Sequence, residues 1–276
     1  METKTQFLKS KLINWYSKNK RDFSWRNSND PWKILLIETL AQQTQLERAD
    51  SYYKKFIKKY PSPDKMAKDS FSEVLKMWSG LGYNNRAKRL HDASKILANQ
   101  QFDEIYPNFE ILPGVGKYTK NALLSFSYGD KVITEDTHVN KIISRFFSVD
   151  NVNTFINENS DKLLEGVNSR DLNQSFMDFG STICTKQNPK CTICPLSIKC
   201  KKYFTNKPSI QAKFKGSNRE IRGKIIGLLS SKNKLTKNQL AKELEVNNEK
   251  IEIALSGLVK DRILKKSSNN NFEINS

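Results

Sequence analysis

The sequence lacks any apolar stretch long enough to cross a membrane. A membrane-spanning helix needs about 20 consecutive apolar residues. The longest apolar runs in this chain are only about as long as the four-residue run at 34–37. The N-terminal segment alternates lysine with apolar residues, without the continuous hydrophobic stretch of a signal peptide. We therefore expect an intracellular, cytoplasmic protein that has no membrane partner.

Acidic residues are also few. The chain has 29 Asp and Glu against 47 Lys and Arg, which leaves a net charge of +18. Residues 201–276 carry 17 basic and 7 acidic residues, so this tail holds +10 of the excess and residues 1–200 hold +8. Such an excess favours a polyanionic partner and, in the tail, contact with a phosphate backbone. A solvated lysine-rich surface is the alternative.

Disorder is excluded by what the sequence does contain. It has 15 Phe, 9 Tyr and 4 Trp, which are too many rings of the type that proteins bury for a disordered chain. Apolar residues recur at three- and four-residue spacing in 5–17, 31–46 and 71–78, which predicts helices. The first 200 residues have no alternating strand pattern of useful length. We expect a mainly α domain over residues 1–204.

The tail predicts a second, smaller domain. Residues 205–218 show no apolar periodicity and are predicted to be a linker. Helices are predicted over 219–231, 236–244 and 247–260, followed by a hairpin that joins 263–264 to 272–274. Three short helices with a two-stranded wing are typical of a winged-helix DNA-binding domain, here over 219–276. A three-helix packing module is the alternative.

All four cysteines fall within 17 residues, with the spacing Cys184-x6-Cys191-x2-Cys194-x5-Cys200. A secreted disulfide framework would spread its cysteines along the chain. Structural zinc sites favour two paired CxxC motifs, and this chain has a single one. The uneven spacing therefore favours four thiolates around one [4Fe–4S] cluster, with zinc and unliganded thiols as the alternatives.

The cysteine segment resembles the iron–sulfur loop of the endonuclease III and MutY DNA glycosylases. The resemblance implies a structural cluster and a loop whose basic residues, here Lys186, Lys190 and Lys199, meet DNA phosphates. It extends over residues 5–203 and implies a two-lobed helical helix-hairpin-helix fold. Residues 205–276 lie outside it and are too short for the Nudix-like domain that ends MutY proteins.

Residues 112–119, LPGVGKYT, resemble the helix-hairpin-helix signature of the same family. Gly114 and Gly116 allow a tight turn and leave backbone N–H groups at the next helix's N-terminus free for a DNA phosphate, beside Lys117. Without the resemblance, an ordinary helix–helix turn is the alternative.

Tyr118 stands where bifunctional members of the family carry the lysine that forms a Schiff base. A phenol cannot form that imine, so the resemblance implies a monofunctional enzyme without β-lyase activity, with water as the nucleophile. Eighteen residues later, Asp136 stands at the spacing of the family's essential catalytic carboxylate. Without the resemblance, Asp136 is a plausible N-cap for a helix over 137–146.

Glu38 lies in a segment, residues 30–45, that resembles the "SEVMLQQTQ" segment of MutY. It occupies the largely apolar face of a predicted helix, so we expect it to be buried, with a raised pKa and a proton available near neutral pH. Such a group suits adenine, which leaves poorly unless its N7 is protonated. An ionised Asp136 would stabilise the charge that develops on the sugar.

Three more residues match positions that the family uses on DNA. Gln43 matches an inserting glutamine, and Tyr83 matches a tyrosine that wedges into the base stack, with a core tyrosine as the alternative. Gln174 matches a glutamine that lines the adenine pocket, where an amide can pair with the base edge.

The chain has only two histidines. His138 is predicted to order Asp136 or contact DNA, with a structural role at a helix end as the alternative. His91 follows a basic run and is predicted to lie at the surface.

Together these features predict a monomeric, monofunctional DNA glycosylase of base excision repair. It would bind double-stranded DNA that contains a mispaired or damaged base and remove adenine opposite guanine or 8-oxoguanine. A thymine/uracil glycosylase acting on T·G or U·G mismatches is the alternative within the class. A bifunctional oxidised-pyrimidine glycosylase is favoured by residues 136–138 and disfavoured by Tyr118. Outside the class, the alternative is a non-catalytic iron–sulfur DNA-binding regulator.

Overall fold

The computed structural model describes residues 3–204, 214–267 and 270–275. Part of the predicted linker, residues 205–213, lies outside the described residues. The α-helices are α1 (Lys4–Asn19), α2 (Pro31–Ala41), α3 (Leu46–Lys59), α4 (Pro63–Ala67), α5 (Phe71–Trp78), α6 (Asn85–Leu97), α7 (Phe102–Ile105), α8 (Lys117–Leu123), α9 (Thr137–Phe147), α10 (Val152–Leu164), α11 (Ser169–Thr182), α12 (Asn218–Lys232), α13 (Lys237–Leu244) and α14 (Asn248–Lys260). The strands are β1 (Lys234–Thr236), β2 (Leu264–Lys266) and β3 (Asn271–Ile274).

The predicted mainly α fold of this part of the chain is confirmed. Between residues 3 and 204 the structure contains helices and turns but no strand. Polar caps begin these helices as the sequence allows: Thr3 forms a capping box with Gln6 at α1, and Ser70 accepts a hydrogen bond from the Glu73 N–H at α5. No helix among the described residues is both long enough and apolar enough to cross a membrane.

The chain divides into two compact units. The first comprises Met1–Glu38, Pro107–Glu110 and Val115–Pro208. Its core is formed by apolar residues of α1, α9, α10 and α11, among them Leu12, Ile143 and Phe176, which are fully buried. Ile183 and Leu196 of the cysteine segment pack into the same core, so the core fixes that segment in place.

A π-helical turn follows α8 directly, over Leu124–Tyr128. It ends at Gly129, whose φ of +77° is a left-handed conformation that suits glycine. The sequence analysis predicted no such turn.

The second unit comprises Thr39–Tyr106, Ile111–Gly114 and Ser209–Ser276. In its first segment, Phe56 and Trp78 pack edge to face, with ring centroids 5.8 Å apart. In its last segment, α12 and α14 bury Ile225, Leu229 and Leu255. The three strands form an antiparallel sheet in the order β1-β3-β2, in which Phe272 pairs with both Leu235 and Lys266.

The predicted elements of the tail are observed with shifts of a residue or two. Helices α12, α13 and α14 match the three predicted helices, and β2 and β3 form the predicted hairpin. Strand β1 was not predicted, because three residues are too few to show alternation and Thr236 also serves as the N-cap of α13. The division into domains at 204 and 219 stays a prediction.

The predicted surface position of His91 is wrong. His91 is 1% exposed, its Nε2 lies 3.0 Å from the carbonyl oxygen of Asp69, and its ring stacks on Phe71. The neighbouring Arg86 is buried as well. The basic run misled the prediction because only some of its members face solvent on α6.

Candidate active site

Glu38 lies near the end of α2, a helix that is apolar on nearly every side. Asp30 begins the helix by accepting a hydrogen bond from the Trp32 N–H at 2.9 Å. The residues around Glu38 are buried core residues: Trp32, Ile34, Leu35, Leu36, Ile37 and Leu40. Glu38 itself is 6% exposed, and burial raises the pKa of its carboxyl from 4.5 to about 7. The predicted burial and raised pKa are confirmed.

The phenol of Tyr118 contacts this carboxyl directly. Its hydroxyl donates a hydrogen bond to Glu38 Oε2 at 2.8 Å. Burial, followed by the charges of Glu38 and Asp136, raises the pKa of Tyr118 well above 10, so the phenol stays protonated and remains a donor. Tyr118 lies in the first turn of α8, directly after the glycine turn.

Asp136 is the N-cap of α9, as predicted. Its Oδ1 accepts hydrogen bonds from the backbone N–H groups of His138 at 2.8 Å and Val139 at 2.7 Å. Burial raises the pKa of Asp136, and the two N–H donors oppose that rise. The charge of Asp136 in turn raises the pKa of Glu38. The structure therefore brings Glu38, Tyr118 and Asp136 together within the first unit.

Sequence reasoning missed Arg26, a buried arginine next to this group. Its Nη2 forms an ion pair at 2.6 Å with Asp178 Oδ1, and Asp178 is fully buried. The positive charge of Arg26 also lowers the pKa of Glu38, which partly offsets the effect of burial. The two partners are 152 residues apart in sequence, and no local motif marks either of them.

Gln174 is held by the same buried network. Its Oε1 accepts hydrogen bonds from the Tyr16 hydroxyl at 2.6 Å and from Arg26 Nη1 at 3.2 Å, and the residue is 3% exposed. The carbonyl end of this amide is therefore engaged inside the protein. The predicted role of Gln174 in a base pocket stays a prediction.

His138 packs against α11. A Cβ added at Gly180 would lie 2.6 Å from His138 Cβ, so only glycine fits there. Burial lowers the pKa of His138, and its Nδ1 lies 3.3 Å from Lys141 Nζ. This packing favours the structural interpretation of His138.

The predicted DNA-backbone residues occupy the turn before α8 and the first position of that helix. Gly114 has a φ of +90°, and a Cβ there would lie 3.1 Å from Arg89 Cβ, so both backbone and space require glycine. Gly116 is the N-cap of α8. Lys117 is exposed and forms an ion pair with Glu135 at 2.6 Å.

Gln43 and Tyr83 lie on two short loops of the second unit, and both have left-handed backbones. Their φ values are +57° and +47°, a conformation that non-glycine residues rarely adopt. Gln43 is exposed and Tyr83 is half-buried.

Arg86 connects these two loops. Its guanidinium donates to carbonyl oxygens on both sides: Thr39, Leu40 and Gln42 near the end of α2, and Leu81 and Gly82 before Tyr83. Burial lowers the pKa of Arg86 to about 10, which still leaves it charged at neutral pH. One buried cation thus fixes the backbone around both predicted DNA-inserting residues.

The four cysteines line one cavity in the first unit, next to Ile142, Phe146 and Phe179 of the core. Arg145 Nη1 donates to Cys184 Sγ at 3.3 Å, and the Lys202 N–H donates to Cys200 Sγ at 3.4 Å. Burial raises the pKa of the Cys194 thiol to about 11. Within the described ranges, no three His, Cys, Asp or Glu side chains are arranged to hold a single metal ion.

Known proteins similar to this chain are DNA repair enzymes. Residues 37–165 match the family described as HhH-GPD superfamily base excision DNA repair protein. An adenine DNA glycosylase of Buchnera aphidicola subsp. Baizongia pistaciae is 37% identical over 205 residues, which are 71% of this chain and 58% of the relative. An adenine DNA glycosylase of Mycobacterium tuberculosis is 32% identical over 234 residues, which are 79% of this chain and 77% of the relative.

Among solved structures, a thermostable thymine-DNA glycosylase superposes with a TM-score of 0.67 and is 31% identical. The match covers 72% of this chain and 96% of that chain. The match therefore extends over nearly the whole length of that glycosylase, whereas the chain spans only 58% of the length of the Buchnera relative.

Proposed function

This chain belongs to the MutY-type glycosylases of the endonuclease III (HhH-GPD) superfamily, and from that premise we propose that it removes adenine mispaired with guanine or 8-oxoguanine from double-stranded DNA. The reaction is hydrolysis of the N-glycosidic bond after the adenine is flipped out of the helix. The names of the curated relatives support adenine as the base.

The observation that carries this proposal is the Glu38–Tyr118–Asp136 cluster. Glu38 has a pKa of about 7 and accepts a hydrogen bond from a phenol that stays protonated. Near neutral pH, the protonated fraction of Glu38 is therefore far larger than that of an exposed glutamate. A buried acid beside a second carboxylate suits a leaving group that must be protonated.

In the proposed mechanism Glu38 donates its proton to adenine N7 while the N-glycosidic bond breaks, and the bond electrons leave with the base. Asp136, ionised at the N-terminus of α9, stabilises the positive charge that develops on the sugar. Water then adds to C1′ and loses a proton, for which the ionised Glu38 is a suitable acceptor.

Tyr118 supports a monofunctional enzyme. Its hydroxyl is engaged with Glu38 and carries no amine for a Schiff base. Lys120 follows closely in sequence, but its Nζ pairs with Glu110 at 3.0 Å. The reaction accordingly ends at an abasic site without β-lyase cleavage of the strand.

Contacts with DNA are assigned to three sets of residues. Gly114, Gly116 and Lys117 would meet the backbone through N–H groups and one positive charge. Gln43 and Tyr83 would enter the base stack from loops that Arg86 holds. Gln174 would line the adenine pocket. It would contact the base through its amide nitrogen, because its Oε1 already accepts two hydrogen bonds inside the protein.

Cys184, Cys191, Cys194 and Cys200 would hold one [4Fe–4S] cluster. Their common cavity and the N–H groups directed at two of their sulfurs fit thiolate ligands of a cluster. When bound, the cluster would cross-link Cys184, which follows the end of α11, to the three cysteines later in the loop. Measured iron and sulfide in the purified protein would test this assignment.

We also propose a division into a glycosylase domain over residues 1–204, a linker over 205–218 and a winged-helix-like domain over 219–276. The three helices and the β2–β3 hairpin of the tail support the last of these. The basic excess of the tail supports DNA as its partner.

The experiment that tests the function is single-turnover base release from A·G, A·8-oxoguanine, T·G and U·G duplexes. We expect release of adenine, and no strand cleavage that borohydride can trap. Release of thymine but not adenine would overturn the choice of base. Borohydride trapping would overturn the monofunctional assignment made from Tyr118.

Thymine is the second candidate base. It is favoured by the 31% identity to a solved thymine-DNA glycosylase that this chain covers almost completely. The raised pKa of Glu38 favours adenine over thymine, because a purine with a basic N7 gains most from a proton donor.

A further inference from the structure

The C-terminal helices touch one of the predicted DNA-inserting residues. Arg219 lies in the first turn of α12, and its Nη1 donates a hydrogen bond to the Tyr83 hydroxyl at 2.6 Å. Its guanidinium carbon also lies 5.4 Å from the centroid of the Tyr83 ring. The tail therefore reaches the tip and the face of a side chain that lies 136 residues earlier in the sequence.

The Tyr83 ring is held by two cations. The guanidinium carbon of Arg86 lies 5.7 Å from the same ring centroid, and Arg219 lies at a similar distance. Arg86 fixes the backbone before Tyr83, and Arg219 fixes the hydroxyl end. Cation–π contact and a charge-assisted hydrogen bond together restrict the rotamers that the ring would otherwise sample.

The start of α12 is itself well anchored. Ser217 caps the helix by accepting a hydrogen bond from the Glu220 N–H, and the Gly216 N–H donates to Glu220 Oε2 at 2.6 Å. Helix α12 packs against α5, the helix that precedes the Tyr83 loop. Arg219 therefore projects from a fixed helix end and not from a loose segment.

We propose that Arg219 is a positioning residue for Tyr83, so that the C-terminal helices take part in opening the duplex at the mispaired base. The proposal rests on the proposed function, in which Tyr83 enters the base stack. A side chain ordered before binding loses less conformational freedom when it inserts, which favours the opened state of DNA. The tail would then do more than add general affinity through its positive charge.

A double-mutant cycle on Arg219→Ala and Tyr83→Phe tests the proposal. The DNA duplexes carry 2-aminopurine next to the mispaired adenine, and the fluorescence of 2-aminopurine rises when the base pair opens. All variants are compared at saturating enzyme concentration. Either single change removes the same hydrogen bond, so we expect each to reduce opening about fivefold to tenfold. The double variant should be no worse than the more damaging single variant.

Lys224→Ala is the matched control. Lys224 is on the same helix, is exposed and pairs with Glu220 at 2.8 Å, without a contact to Tyr83. It removes the same single charge, so it should weaken DNA binding slightly and leave opening unchanged at saturation. Additive losses in the cycle, or an Arg219→Ala variant that behaves like Lys224→Ala, would overturn the proposal.

Arg219→Gln keeps a donor group but removes the charge. The glutamine variant should open the duplex more than Arg219→Ala does, while its affinity for DNA should be as low as that of Lys224→Ala. If Arg219→Gln opens the duplex no more than Arg219→Ala, positioning through the hydrogen bond is contradicted. Opening is measured without base release, so an enzyme that opens A·G duplexes but releases no adenine would refute the proposed function and leave this coupling intact.

Discussion

Glu38 is buried among apolar side chains in the first unit, whereas Gln43 is exposed and Tyr83 half-buried on short loops in the second. Burial raises the pKa of Glu38 to about 7. The loops instead have left-handed backbones that a buried arginine holds. Proton donation requires a group withdrawn from water, and insertion into DNA requires a rigid group that remains accessible.

The two regions also differ in how their buried charges are balanced. The guanidinium of Arg86 donates to carbonyl oxygens, and although burial lowers its pKa to about 10, it stays charged at neutral pH. The Tyr118 hydrogen bond and the charge of Arg26 favour the ionised form of Glu38, but they offset only part of the effect of burial and of the Asp136 charge, so Glu38 is partly protonated at neutral pH. Glu38, the proposed proton donor, is therefore buried at a cost in stability, as groups at functional sites commonly are.

The largest effect on activity is expected from Glu38→Gln. The amide keeps the size of the side chain and can accept the Tyr118 hydrogen bond, but it has no acidic proton to transfer to the base. Single-turnover release of adenine should fall by about 10²- to 10⁴-fold, the usual range for loss of a general acid. Near-normal release would refute Glu38 as the proton donor.

Stability measurements on the same variant provide its control. Below pH 4.5 the Glu38 carboxyl is protonated in both folded and unfolded chains, and stability is lost as pH rises through its folded pKa of about 7. At pH 8, Glu38→Gln should therefore raise the free energy of unfolding by up to about 3 kcal/mol. A variant that is inactive and less stable at pH 8 would point to misfolding instead.

Asp178→Asn is expected to cause the largest loss of stability. The Asp178 carboxylate is fully buried and pairs with Arg26 at 2.6 Å and Arg21 at 2.7 Å. Removing its charge leaves the buried Arg26 uncompensated, which costs about 3–5 kcal/mol. Urea unfolding would measure the loss, with exposed Asp64→Asn as the control. A loss under 1 kcal/mol would mean that water compensates Arg26.

Arg86→Lys tests the loops of the second unit. An ammonium cannot reach carbonyl oxygens of both loops at once, as the planar guanidinium does. We expect the free energy of unfolding to fall by about 1–3 kcal/mol and duplex opening, reported by 2-aminopurine, to fall with it. The pH dependence of base release should stay unchanged, and a shifted profile would show that the two regions are not separable in this way.

The smallest effect is expected from Lys117→Ala. The Lys117 side chain is 59% exposed and that of its partner Glu135 is 9% exposed, so solvent screens the pair from one side and the loss of stability should be about 1 kcal/mol or less. If Lys117 contacts a phosphate, the slope of log affinity against log salt should decrease by about 1. An unchanged slope in a binding titration would remove Lys117 from the DNA contacts.

The sequence could predict what local patterns determine. Helix periodicity located α2 and therefore the burial of Glu38, and the order of residues at 136–139 predicted the N-cap of α9. The short helices and hairpin of the tail followed from the same rules.

Contacts between distant residues could not be predicted. The Arg26–Asp178 pair and the Arg219–Tyr83 contact join positions more than 100 residues apart, and neither has a spacing that marks it. His91 shows the reverse error, because a basic run suggests exposure while helix packing buries one side of it. Packing between residues far apart in the sequence determines which of these side chains are buried and which of them pair. A single sequence does not show which distant residues will be in contact.

We propose that a buried, protonated Glu38 releases the base. The pH dependence of single-turnover adenine release from an A·8-oxoguanine duplex between pH 5 and 9 tests this directly. Since the acid form is active and the pKa of Glu38 is about 7, the rate constant should be level below that pH and fall about tenfold per pH unit above it. A rate constant that is independent of pH across this range, or that rises with pH, would contradict the claim.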